Sequence, residues 1–94
     1  DRLIVDAGMK TFRLFPSMPY GLILDDPELK FSGMSVEHGH IDSTGTNRKF
    51  SVGDKLTVIP TYQEGVTNLH DEIVWIRNDQ VEHVWRNEGR GKVK

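Results

Sequence analysis

Residues 72–85 read EIVWIRNDQVEHVW, and this stretch constrains the fold more than any other. Two runs of β-branched and aromatic residues flank Asn78 and Asp79. Both of those tolerate positive φ, which a tight two-residue turn demands. The spacing predicts a hairpin with strands over 72–77 and 80–85. Period-two alternation puts Ile73, Trp75 and Arg77 on one face of the first strand and Val74 and Ile76 on the other. Across the turn, Val81, His83 and Trp85 alternate with Glu82 and Val84.

Just upstream, residues 53–71 read GDKLTVIPTYQEGVTNLHD. After the Gly53-Asp54 turn, Leu56, Val58 and Pro60 alternate with Lys55, Thr57 and Ile59, as in a strand with one face buried. Pro60 has no N–H to give a sheet ladder and stops the run. Residues 61–71 then form an expected loop rich in side chains that donate, accept or ligate. A rigid strand that delivers such a loop is a common way to hold polar groups at the rim of a sheet.

The rest of the chain reads as short strands broken by turn signals. A buried strand is expected over 2–6 and a second over 20–24, closed by the turn Asp25-Asp26-Pro27-Glu28. A third is expected over 29–38, with Gly33 as a bulge or close backbone approach. Residues 37–42 continue extended, and 43–49 form an exposed loop. Residues 10–19 contain two prolines and read as an irregular loop. Its Phe12, Leu14, Phe15 and Met18 pack either on the domain's own core or on a missing domain or subunit. No helix of three turns is expected. Strands at this spacing imply an all-β domain, a small antiparallel β-barrel.

Composition narrows the function. Ninety-four residues suit a single domain, with 36% hydrophobic residues and a net charge of -2. Basic and acidic residues nearly balance, which favours neither nucleic acid nor an anionic membrane. The chain has no cysteine, hence no disulfide framework and no thiolate metal site. No apolar run approaches the ~18 residues of a membrane span, and no signal peptide is visible; a cytoplasmic location is expected. The chain begins without methionine, as an excised part of a longer polypeptide would.

His38 and His40 are two apart, and on one strand they would share a face where two imidazoles could meet a metal. No third ligand is set by the sequence, so hydrogen-bonding or surface roles are the plainer reading. No phosphate-cradling glycine loop and no nucleophile triad is visible.

Four pieces in order carry a family resemblance. They are Val5-Asp6-Ala7-Gly8-Met9-Lys10-Thr11, Glu37-His38-Gly39, Gly53-Asp54 with Ile59-Pro60 eight residues before Asn68-Leu69-His70-Asp71, and Trp85 followed by Arg90-Gly91. Together the chain resembles the C-terminal domain of the D-serine dehydratase and D-threonine aldolase family, pyridoxal-phosphate enzymes of the alanine racemase fold type. The resemblance implies a small antiparallel β-barrel. It also implies an N-terminal α/β barrel on the same chain, carrying the Schiff-base lysine, and a homodimer in which the small barrel faces the partner subunit's cofactor. Lys10 is not that lysine, and no catalytic residue is expected within these 94 residues. The parent would be an amino-acid aldolase, dehydratase or racemase-like enzyme with a small-molecule amino-acid substrate. His38 lies in the family's Glu-His-Gly motif, and the family has an arginine at the position of Arg90. Tyr62 and Glu64 stand where metal-binding members carry His-x-Cys or His-x-Asp. A neutral phenol is a poor zinc ligand, which puts the divalent metal in doubt. Substrate-site candidates are therefore His38, Tyr62, Glu64, His70 and Arg90. The alternatives are a stand-alone β-barrel binding module, or a family member without metal-assisted activity.

Overall fold

A computed structural model describes residues 1–13 and 20–92. Seven strands and two short helices follow in order: β1 (Arg2–Val5), α1 (Met9–Phe12), β2 (Gly21–Ile23), β3 (Lys30–Met34), β4 (Gly39–Asp42), β5 (Val58–Pro60), α2 (Gln63–Asn68), β6 (Glu72–Arg77) and β7 (Gln80–Arg86). All pairing is antiparallel. The chain is mostly β, as expected. The barrel is not: among the described residues the strands form three separate sheets, β1-β4-β3, β2-β5 and β6-β7, and none closes on itself. Closure requires every edge strand to find a partner. Here the strands of the first two sheets are three to five residues long, and β6-β7 pairs only with itself.

The core lies where the first two sheets meet. Ile23, Leu29 and Ile41 are buried, and Leu3, Val5, Phe31, Phe50, Leu56 and Val58 pack around them. Phe12 is buried as well, its ring edge-on to Phe31 at 5.7 Å. This settles Phe12 as part of the domain's own core; Leu14, Phe15 and Met18 lie outside the described residues. The expected alternation before Pro60 holds, with Leu56, Val58 and Pro60 half-buried and Lys55, Thr57 and Ile59 exposed. Only the last three residues of that run pair, and the strand ends at Pro60.

The predicted third strand is too long. After β3 the chain reverses over residues 35–38, where the Ser35 N–H donates to the His38 carbonyl at 2.8 Å, and β4 runs back beside β3. The turn carries no glycine or asparagine. It is held instead by α1, whose Met9 and Lys10 N–H groups donate to the Ser35 and Val36 carbonyls at 3.0 Å. Gly8 permits that approach. A Cβ there would meet only backbone, 2.5 Å from the Ser35 oxygen. The bulge expected at Gly33 is present one residue earlier: Phe31 pairs with Ile41 and Gly33 with His40, leaving Ser32 as the extra residue.

Asp26 ties the β2–β3 turn to the loop at 43–49. Its carboxylate accepts from Thr46 Oγ1 at 2.6 Å and from the Glu28 N–H at 3.0 Å. The Thr46 hydrogen bond, then the Glu28 amide and the Arg48 charge, hold this carboxyl below the usual range.

The hairpin forms as expected, with Asn78 and Asp79 at φ 52° and 62°. Its register slips once, however. Trp75 pairs with His83 but Ile76 pairs with Val81, so Glu82 is a bulge. Directly paired residues share a face. The slip therefore moves Val81 away from His83 and Trp85, where simple alternation placed it, and onto the face of Val74, Ile76 and Val84.

Candidate functional site

The segment after Pro60 is not the open loop expected. Residues 63–68 form α2, with Tyr62 at its N-cap position. Gly65, Val66 and Thr67 are weak helix formers, and α2 is held from outside. A helix leaves its last carbonyls unsatisfied. The chain after β7 folds back and supplies the donors. Asn87 Nδ2 donates to the Thr67 carbonyl at 2.8 Å and the His70 carbonyl at 3.2 Å, and Arg90 Nε donates to the Asn68 carbonyl at 3.1 Å. Arg90 also pairs with Asp71 at 2.6 Å, and the Asn87 N–H donates to the Asp71 carbonyl at 2.7 Å. The guanidinium at the C-terminal end and Glu64 in the first turn both suit the helix dipole.

The five candidates divide accordingly. Arg90 serves the end of α2 and the carboxylate of Asp71. His70 is half-buried, and its Nδ1 lies 2.8 Å from the Val66 carbonyl. A carbonyl only accepts, so Nδ1 carries the proton of this hydrogen bond. Glu64 is exposed and borders a groove of about 450 Å³ with Gln63, Thr67, Asn68, Asn87 and Gly89. Tyr62 is half-buried, with the Arg13 guanidinium 5.9 Å from its ring centroid. Its ring lies over Gly65: a Cβ there would sit 2.7 Å from Tyr62 Cε1 and 3.0 Å from Arg13 Cδ.

His38 sits apart, exposed in the β3–β4 turn rather than on a strand, so it does not share a strand face with His40. His40 Nε2 lies 3.0 Å from Ser35 Oγ. Among the described residues, no three His, Asp or Glu side chains converge as a metal would require. Helix α1 connects the two regions, its N-terminal amides on the turn that holds His38 and Arg13, just past its C-terminus, against Tyr62. Beside His38, Glu37 accepts from Lys10 Nζ at 2.8 Å, and this bond and charge lower the Glu37 pKa.

Arg13 and Asn87 were not singled out from the sequence, because each acts across a long separation. The glycine three residues after Tyr62 was a readable signal, since it marks where a ring can lie against a helix.

These elements define a small, mostly antiparallel β domain that carries its polar groups on a short clamped helix at a strand end. Residues 1–76 match the family described as "Putative serine dehydratase domain". The 3-hydroxy-D-aspartate aldolase of Paracoccus denitrificans is 36% identical over 89 residues, 95% of this chain and 22% of the relative. A D-threonine aldolase of an Arthrobacter species is 31% identical over 91 residues, 97% of this chain and 24% of the relative. The crystal structure of D-threonine aldolase from Filomicrobium marinum superposes with a TM-score of 0.85 at 26% identity, covering 99% of this chain and 25% of that one. The chain belongs to the serine dehydratase domain family. It spans about a quarter of the length of these relatives.

Proposed function

We propose that this chain is the β domain of a longer pyridoxal-phosphate-dependent enzyme that cleaves or dehydrates a β-hydroxy D-amino acid. The observation that carries this reading is similarity along nearly the whole chain to two aldolases named for D-amino-acid substrates. In this reading the N-terminal α/β barrel of the same polypeptide holds the cofactor, in a cytoplasmic homodimer. In this reading the three open sheets are completed by the rest of the polypeptide.

The Schiff-base lysine, in this reading, lies outside these residues. Lys10 is spent on an exposed ion pair with Glu37, and Lys30 donates to the Pro27 carbonyl. When bound elsewhere in the enzyme, pyridoxal phosphate would supply the electron sink for bond cleavage beside the amino group. What this domain contributes is positioning. Tyr62 and Glu64 are offered at the N-terminal turn of α2 as polar contacts for the substrate. His70 lies past the C-terminal end of α2 with its Nδ1 on the Val66 carbonyl, and Asn87 and Arg90 hold the helix. His38 stands at the other end of the α1 connection.

The donor set also favours a second reading within the same family. Tyr62 and Glu64 do not suit zinc: zinc favours imidazole and thiolate over a phenol, and one carboxylate does not chelate. A member without the metal-assisted reaction is therefore the second reading. Assaying the full polypeptide with pyridoxal phosphate on D-3-hydroxyaspartate, D-threonine and D-serine, with and without chelator, separates the two. Turnover that chelator abolishes supports a metal-assisted member, and turnover that survives chelator supports the proposal in its second form. A cofactor-loaded but inert enzyme supports the second reading, and a polypeptide that retains no cofactor overturns both.

A further inference from the structure

The hairpin β6-β7 has no side that resembles a finished surface. One face carries Ile73, Trp75 and Trp85, the indoles edge-on at 5.5 Å, with His83 against Trp85 at 4.6 Å. The other carries Val74, Ile76, Val81 and Val84. All seven of these hydrophobic side chains are at least 44% exposed. A hairpin on the outside of a finished domain alternates apolar with polar, because one face meets water. This one is apolar on both faces, the pattern of strands covered from both sides. Both outer edges also present unpaired backbone groups, and a lone two-stranded hairpin is marginal in water.

The dimensions agree. The radius of gyration is 14.5 Å, where a compact chain of this length has about 12 Å. The exposed area is 7461 Å², where a folded monomer of 10.7 kDa has about 5,500 Å². The excess, about 2,000 Å², exceeds the ~800 Å² that one partner gives to a standard interface and falls in the range of obligate ones.

We infer that β6-β7 is a docking arm, covered on both faces by the remaining part of the polypeptide to which this chain belongs. The occupant follows from two observations. Relatives that include this hairpin are about four times as long as the chain, so a large body of polypeptide is at hand to cover it. A second copy related by a two-fold axis would lay hairpin against hairpin and cover one face, leaving the other wet. The cover offers apolar side chains to both faces and backbone groups to an edge. The tip stays in water: Asn78, Asp79 and the Arg77–Glu82 ion pair at 3.3 Å lie there.

The inference rests on the reading that the chain is part of a longer polypeptide, and it does not depend on the cofactor. The test is hydroxyl-radical footprinting of the natural full-length protein, with oxidation of Trp75 and Trp85 and of Val74, Ile76, Val81 and Val84 read by mass spectrometry against the urea-unfolded protein. The expected result is protection of both faces by about tenfold or more, as in the dry centre of an interface, at every concentration including those where the protein is monomeric. Protection that appears only on dimerisation makes a second copy the occupant and overturns the inference. Exposure of either face in the native protein, or a natural product no longer than this chain, also overturns it. Loss of the cofactor reading leaves the footprint unchanged, so the two failures are distinguishable.

Discussion

The meeting of β1-β4-β3 with β2-β5 and the hairpin β6-β7 are written in the same alphabet, and only one of them is a core. Ile23 and Ile41 are 1% and 0% exposed, whereas Ile76 and Val81 exceed 60%. Each region alternates with period two, each pairs antiparallel, and each uses the same aliphatic residues. Alternation sets which way a side chain points. It does not say what stands opposite. In the first region the opposite wall is another strand of this chain; in the second no described strand stands there, and the strand that reads as best formed is the least buried.

Substitution should separate the two regions most sharply. Ile41→Ala removes a fully buried side chain and should cost about 3 kcal/mol. In the same chain Ile76→Ala should cost about 0.5 kcal/mol or less. Urea denaturation of both variants compares them, and equal losses would erase the distinction. In the full-length protein the hairpin substitution should become the costly kind.

The joint between α1 and the β3–β4 turn belongs to the rigid side of the comparison. Gly8→Ala forces a methyl into the backbone of residues 35–38, which has no side chain to swing aside, and should cost about 2 kcal/mol. A thermal midpoint equal to that of the unchanged chain would show that the turn gives way.

Between core and hairpin lies the clamp on α2. Arg90→Ala loses an exposed ion pair and one carbonyl cap, together about 1 kcal/mol or less. Its signature is local. Hydrogen exchange should quicken at the Val66, Leu69 and His70 amides while β4 amides are unchanged. Uniform acceleration would mean that Arg90 supports the whole domain.

The smallest effect is acid sensitivity. Asp26 titrates lower folded than unfolded, so its stabilisation is complete above the unfolded carboxyl pKa near 4 and is lost as pH falls through the folded value. Asp26→Asn should flatten that part of the stability profile below pH 4.

The strands and turns that depend on local chemistry were legible in the sequence. Asn78-Asp79 adopts the positive φ that its residue types allow, Pro60 ends β5, and the family pieces from Val5 to Arg90 lie in order. What was hidden depends on distant partners. The β3–β4 reversal has no turn residues because α1 holds it, and α2 has poor helix formers because Asn87 and Arg90 satisfy its carbonyls. The bulge at Glu82 left no mark in the alternation and moved Val81 to the other face. Among the site residues, the pairing of Arg90 with Asp71 spans 19 residues and the contact of Arg13 with Tyr62 is a matter of tertiary placement, so neither shows in local sequence.

The central claim is that this domain serves an active site whose cofactor is held elsewhere in the same enzyme. Borohydride reduction of the full-length protein with pyridoxal phosphate, followed by proteolysis and mass spectrometry, tests it directly. The expected result is one pyridoxyl-lysine per chain, in a peptide outside these 94 residues. A pyridoxyl group fixed stoichiometrically on Lys10, Lys30, Lys49, Lys55, Lys92 or Lys94, or none anywhere in the protein, would contradict it.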